Sequence, residues 1–217
     1  MSTPKFAVAL LVVLGAVSTT ARAEEGALAA RITGGTLGIG PEVGYRLSPT
    51  VGVRANATFL SFSHSFNSDD IDYEGHARLK SGGVMVDVYP WGGGFFLSGG
   101  ARINDNHGHA TANPTSSRTI GGVAFTPEQI GTLSGRGETK NLAPQLTLGY
   151  GGSLKRGFTA GFEAGALFQG KVRVRNFRSS TDLIPAVNLE EERRDVQGDV
   201  DDYKVYPILQ ITLGYRF

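Results

Sequence analysis

From about residue 36 onward, apolar and polar residues alternate with a period of two, the pattern of strands with two unlike faces. The first clear run sets Leu37, Ile39, Val43, Tyr45 and Leu47 against Gly38, Gly40, Glu42, Gly44 and Arg46. The second sets Val51, Val53, Ala55, Ala57 and Phe59 against Gly52, Arg54, Asn56 and Thr58. Further runs follow over 83–88, 95–104, 142–150, 158–168 and 204–217, the last with Leu209, Ile211, Leu213, Tyr215 and Phe217 on one face. Such runs suit tilted strands that cross a membrane.

Links between the runs alternate in length. Ser48–Thr50, Trp91–Gly94 and Gly152–Arg156 are short; 63–81, 105–141 and 171–202 are long. Outer-membrane barrels have short periplasmic turns, long external loops and an even strand count. A short link after the first run therefore requires a strand before it. Gly26–Thr33, closed by a Gly34-Gly35 hairpin, is the candidate; a kinked continuous strand through Gly34 is the alternative. The expected fold is all-β: an eight-stranded antiparallel transmembrane β-barrel with short periplasmic turns and long external loops. A soluble sandwich would alternate in the same way. The glycine-rich polar face instead suits the crowded inside of a small closed barrel. Tyr45, Tyr89, Trp91, Tyr150, Tyr215 and Phe217 lie beside short turns or the chain end, which predicts an aromatic girdle at one level.

Composition narrows the chemistry. The 217 residues include 31 glycines, with no period of three, and no cysteine. A disulfide scaffold, a Cys-ligated zinc fold and a cysteine nucleophile are excluded. A formal net charge of +1 gives no argument for nucleic acid. Met1–Ala23 carries Lys5, an apolar run Phe6–Val17 and a small-residue ending, the pattern of a secretory signal peptide; the run is too short to span a bilayer. Residues 24–217 are then one exported barrel domain.

The stretch Val43-Gly44-Tyr45-Arg46-Leu47-Ser48-Pro49-Thr50-Val51-Gly52-Val53 and the ending Leu213-Gly214-Tyr215-Arg216-Phe217 resemble the small eight-stranded outer-membrane barrels of Gram-negative bacteria, the OmpA, Opa and OmpW type. The resemblance covers about residues 27–217. It implies residence in the outer membrane among lipid and lipopolysaccharide. It also implies that Tyr215 and Phe217 belong to the recognition signal for the barrel-assembly machinery. It implies no activity, because such barrels host adhesins, structural proteins, channels and lipid-modifying enzymes. A monomer is expected.

By parity, Glu42, Arg46, Arg54, Asp87, Arg102, Glu163, Lys204 and Arg216 point inward. An eight-stranded barrel has room inside only for side chains. Isolated charges there would be costly, so Arg54 and Arg102 are expected to pair with Glu42, Asp87 or Glu163. The expected role is structural or surface-interactive, with the lumen plugged by paired charges. The alternative is a small-solute pore gated by the same charges.

No catalytic residue, cofactor or metal site is expected. His107 and His109, near Asp105, lack a spaced third ligand. The carboxylates of 190–202 lack the spacing of a calcium loop and suit a solvated helix from about Pro185 to Gln197, with Leu189 and Val196 on one side. The segment 105–141 reads as a mobile external loop, and an extracellular ligand would be held by such loops. Lipid A modification would need a serine, a histidine and a carboxylate. Ser61, Ser63, His64 and Ser65, with Glu74 and His76 on the next strand, supply the types. Neighbours on a strand face opposite ways, so His64 and Ser65 do not meet, and an enzyme is not expected.

Overall fold

The computed structural model describes residues 28–217 except 69, 153 and 154; the signal peptide expected at Met1–Ala23 lies outside the described residues. In chain order the strands are β1 (Leu28–Gly35), β2 (Gly38–Arg46), β3 (Val51–Ser68), β4 (Ile71–Val88), β5 (Phe95–Asn104), β6 (His107–Pro114), β7 (Arg118–Ile120) and β8 (Val123–Phe125). Helix α1 (Pro127–Ile130), β9 (Leu133–Glu138), β10 (Leu142–Tyr150), β11 (Gly157–Leu167), β12 (Arg173–Ser179), α2 (Ala186–Val200) and β13 (Tyr206–Arg216) follow.

Eight strands close a ring in the order β1-β2-β3-β4-β5-β10-β11-β13, and β13 pairs back onto β1. Every pairing is antiparallel, and the β13–β1 pairing leaves the ring no open edge. The described residues begin and end at the short-turn end, where the Phe217 amide donates to the Leu28 carbonyl.

β1 is a separate strand, but its hairpin differs from expectation. Gly34 and Gly35 are paired strand residues, Gly35 opposite Gly38, and the turn is Thr36-Leu37. Gly38 makes the turn possible with a φ of 101°, a conformation unfavourable to any residue with a Cβ. Leu37, expected on the outer apolar face, is instead buried, folded over the lumen.

The long links are not structureless. β3 and β4 stay paired without a slip from Val51↔Val88 to Ser68↔Ile71, so 63–81 is a tall hairpin rather than a loop. Its upper edge would be unpaired if the chain left it free. β6 continues from β5 to cover β4, β9 pairs with β6, and β12 with β9. This wall stands above the ring on one side only. β7, β8, α1 and α2 gather beside it around Ile120, Phe125, Ile130 and Ile184, with Leu133 and Leu189 packed against them. The segment 105–141, expected to be a mobile loop, thus carries four strands and a helix. α2 matches the expected helix and runs three residues further.

The polarity of β3 and β4 inverts where the wall begins. Within the ring, Arg54, Thr58, Ser81 and Asp87 face inward and Val53, Phe59, Val84 and Val86 outward. Above Phe59, the outward positions become Ser61, Ser63 and Ser65 on β3 and Arg78, His76 and Glu74 on β4, while Leu60, Phe62, Tyr73 and Ile71 take the inner face.

Candidate functional site

The lumen is filled in layers. At the short-turn end, the Arg46 guanidinium donates to the carbonyls of Ser48, Pro49, Gly92 and Gly93 and lies 3.8 Å over the Tyr89 ring. Arg46, expected only to point inward, therefore binds the two turns together and stands outside the carboxylate cluster. Tyr89 is buried here, donating to Asp87 Oδ2 at 3.4 Å, and is not part of an outer girdle. Trp91, Phe95, Phe158, Tyr215 and Phe217 supply the ring contacts on the outside at this end.

The next layer centres on Arg54, which is 3% exposed. Its Nη1 donates to Glu163 Oε2 at 2.6 Å and Glu42 Oε2 at 3.1 Å, and its Nε to Asp87 Oδ2 at 3.1 Å. Nη2 reaches Asp87, Glu163 and Ser98 as well. One guanidinium thus joins carboxylates from β2, β4 and β11, strands spread around the ring. Arg31 adds a second cation, 3.1 Å from Glu42 Oε1. Gln145 and Thr147 both donate to Glu163 Oε1. Two arginines and several neutral donors thus face three buried carboxylates.

Arg102 sits apart from this cluster. It was expected to pair with a carboxylate, but its guanidinium donates to Asn56 Oδ1 at 2.9 Å, Thr58 Oγ1 at 3.2 Å, Ser81 Oγ at 3.0 Å and Gln145 Oε1 at 3.4 Å. The carboxylates lie nearer the short turns, and Arg54 already occupies them. Beyond Arg102, Leu37, Ala143, Leu167 and Ile208 form an apolar layer across the mouth, with Tyr206 packed against it. Glycine makes room for the arginines: a Cβ at Gly44 would lie 2.8 Å from Arg31 Nη2, and one at Gly83 2.9 Å from Arg102 Nη1. Arg216 is buried on the inner face as expected, whereas Lys204 stands exposed before β13 begins.

The chain shares its fold with CarO of Acinetobacter baumannii. The crystal structure of that protein superposes with a TM-score of 0.58 at 19% identity, covering 89% of this chain and 98% of the other. Acinetobacter baumannii CarO2 gives 0.64 at 22% identity, covering 89% and 100%. No protein-family model and no curated protein sequence matches the chain. At this identity, the likeness to CarO speaks for a shared fold, not for a shared activity.

Outside the ring, two groupings arise that the sequence alone did not bring together. Ser63 and His76 are register partners on β3 and β4, with Ser63 Oγ 2.6 Å from His76 Nδ1. Among the described residues no carboxylate bonds the imidazole, so the third member of a triad is missing. His107 Nδ1 lies 3.8 Å from Asp105, and His109 stands opposite His76. The second grouping is a cleft of about 610 Å³ at the rim, where Lys140, Lys171, Arg173 and Lys204 surround Asp201. Hydrogen bonds from Lys171 and Gln197 hold the Asp201 carboxyl below its usual range. Arg31 was missed because β1 alternates poorly, although its place between Ala29 and Thr33 shares their inward parity. The rim cleft was missed because its four cations come from distant stretches of the chain, Lys140 before β10, Lys171 and Arg173 where β12 starts, and Lys204 before β13.

Proposed function

We propose that this protein is an outer-membrane β-barrel whose lumen is plugged by paired charges and whose external wall carries a structural or surface-interaction role. The observation behind this reading is the outer surface of the ring. Val84, Leu97, Leu142, Leu146, Phe162, Leu209, Ile211 and Leu213 all stay exposed on the outside of a ring that closes on itself. Water-soluble monomers rarely expose apolar patches beyond a few hundred Å². From Pro207 to Phe217, strand rise and barrel tilt give a band about 25 Å tall, the height of a membrane barrel's apolar belt. The shared fold with the CarO structures supports the reading at the level of architecture.

Under this reading the short turns face the periplasm and the wall faces the medium. Lipid and lipopolysaccharide surround a monomer, and Tyr215 and Phe217 present the assembly signal. An external ligand would meet the wall and its helices. The reading assigns no catalytic step to Ser63 and His76; lipid A masses unchanged on overexpression are the expected outcome.

A second reading, a narrow gated pore, has one observation in its favour. Thr33, Asn104 and Gln210 face the lumen with side-chain polar atoms that find no hydrogen-bond partner among the described residues, and buried polar groups call for water or a solute. Refolding residues 24–217 in detergent, confirming the fold by heat-dependent gel mobility and recording from planar bilayers separates the two. Silence is expected of the plug. Discrete, reproducible conductance steps would overturn it and promote the pore.

A further inference from the structure

The rim cleft holds more positive charge than the protein itself offsets. Asp201 pairs with Lys171. Lys140, Arg173 and Lys204 make no ion pair among the described residues. The Lys140 side chain lies over Gly170, where a Cβ would come within 3.2 Å of its methylenes. The excess continues across the wall. Arg136 and Arg175 are register partners on β9 and β12, two cations directly opposite each other, with His109 and His76 next in the row on β6 and β4. Like charges directly opposite each other destabilise a sheet. Among the described residues, Glu138 alone pairs with these two arginines, 3.0 Å from Arg136 Nε and 3.5 Å from Arg175 Nε.

Position identifies the counter-charge. Immediately below the cleft, on the same outer face, stand the exposed side chains of Leu142, Leu146, Phe168, Val205 and Leu209. Lys140 is two residues above Leu142 on the outward side, and Arg173 and Arg175 are register partners of Glu138 and Arg136 further up. At strand rise and barrel tilt this basic zone begins about 5 Å above the last apolar row, the depth of a membrane's headgroup layer. A ligand that fits both halves has clustered negative charge on top and hydrocarbon beneath.

We propose that the cleft of Lys140, Lys171, Arg173 and Lys204 is a docking site for a phosphorylated glycolipid of the outer leaflet. Its phosphates sit among these cations and extend toward Arg136 and Arg175, and its acyl chains lie on the apolar strip below. The proposal rests on the membrane reading above and names the residues through which the protein would hold its lipid surroundings. Phosphate is recognised by charge-assisted bonds from lysine and arginine, and the strip selects a lipid over a free ion.

The test uses the mature chain refolded in detergent, titrated by native mass spectrometry with bisphosphorylated lipid A, with the same lipid dephosphorylated, and with inorganic phosphate. Bisphosphorylated lipid A is expected to bind at least tenfold more tightly than the other two. A Lys140→Gln, Arg173→Gln, Lys204→Gln variant, with heat-dependent gel mobility intact, is expected to lose at least tenfold in that binding. The single Lys140→Glu variant provides the same reading if the triple variant does not fold. Equal binding of the dephosphorylated lipid, or undiminished binding by the variants, overturns the site. Inorganic phosphate binding as tightly as the lipid overturns its lipid identity. Wild-type protein that refolds and inserts into vesicles but shows no phosphate preference defeats this site alone, whereas failure to insert defeats the membrane reading and the site together.

Discussion

Arg54 carries more of the lumen than any other side chain, because three carboxylates depend on it. Arg54→Ala would leave Glu42, Asp87 and Glu163 facing one another with Arg31 as the nearest remaining partner. Breaking a buried pair from one side typically costs about 3–5 kcal/mol, and this variant is expected at or above that range by urea unfolding in lipid vesicles. Arg102→Ala should cost less, about 1–3 kcal/mol, since it abandons only neutral acceptors. Equal losses for the two variants would mean that the carboxylate cluster is not what distinguishes them. At this scale parity assigns Glu42, Arg54, Asp87, Arg102 and Glu163 to the inner face, and all five side chains are buried. It said nothing of which cation meets which carboxylate, because partners in a ring are chosen across the lumen.

Among the elements, α2 is held by local charge. Glu190 accepts from Arg193 and Arg194, and the Arg193 hydrogen bond is the chief reason its carboxyl falls to about 2. A carboxyl depressed in the folded state stabilises above its unfolded value, and the contribution fades as pH falls toward the folded value. A nitroxide on Val187→Cys, unique because the chain has no cysteine, should report constant mobility from pH 8 to 5 and rising mobility from about pH 4.5 toward 2. Glu190→Gln should remove that dependence. The change will be small, as the pair is exposed. A larger effect belongs to Ile130, fully buried between α1 and the β7–β8 hairpin. Ile130→Ala should expose Arg118 and Arg136 to trypsin, since core truncations of this kind cost about 2–5 kcal/mol, while the ring keeps its heat-dependent gel mobility. The external elements were only partly legible. The helix of 186–200 followed from its composition, but β6, β9 and β12 show weak alternation and form because β4 offers them an edge.

For the molecule as a whole, the ring and its surroundings set the behaviour. An Arg54→Ala, Arg102→Ala double variant that still folds is expected to open discrete conductance in planar bilayers where the wild type is silent. Unchanged silence would mean that the apolar layer of Leu37, Leu167 and Ile208 closes the mouth without help from the charges. Phe217→Ala should lower the amount of folded protein in the outer membrane of cells without lowering refolding in detergent, if the last strand's role is recognition during assembly.

Period-two alternation by itself determined seven of the ring strands and most of their inward and outward faces, since each depends only on residues near in sequence; β1 needed the alternation of link lengths as well. The change of phase at Phe59–Leu60 is also written in the sequence, but it takes its meaning from the β3–β4 hairpin running on above the ring. Tertiary structure alone decided the rest. The convergence of Glu42, Asp87 and Glu163 on Arg54, the neutral partners of Arg102, the meeting of Ser63 with His76 and the cations of the rim cleft all join residues from different strands or links. Closure of the ring brings such residues within a few ångströms, and a local pattern holds no record of that distance.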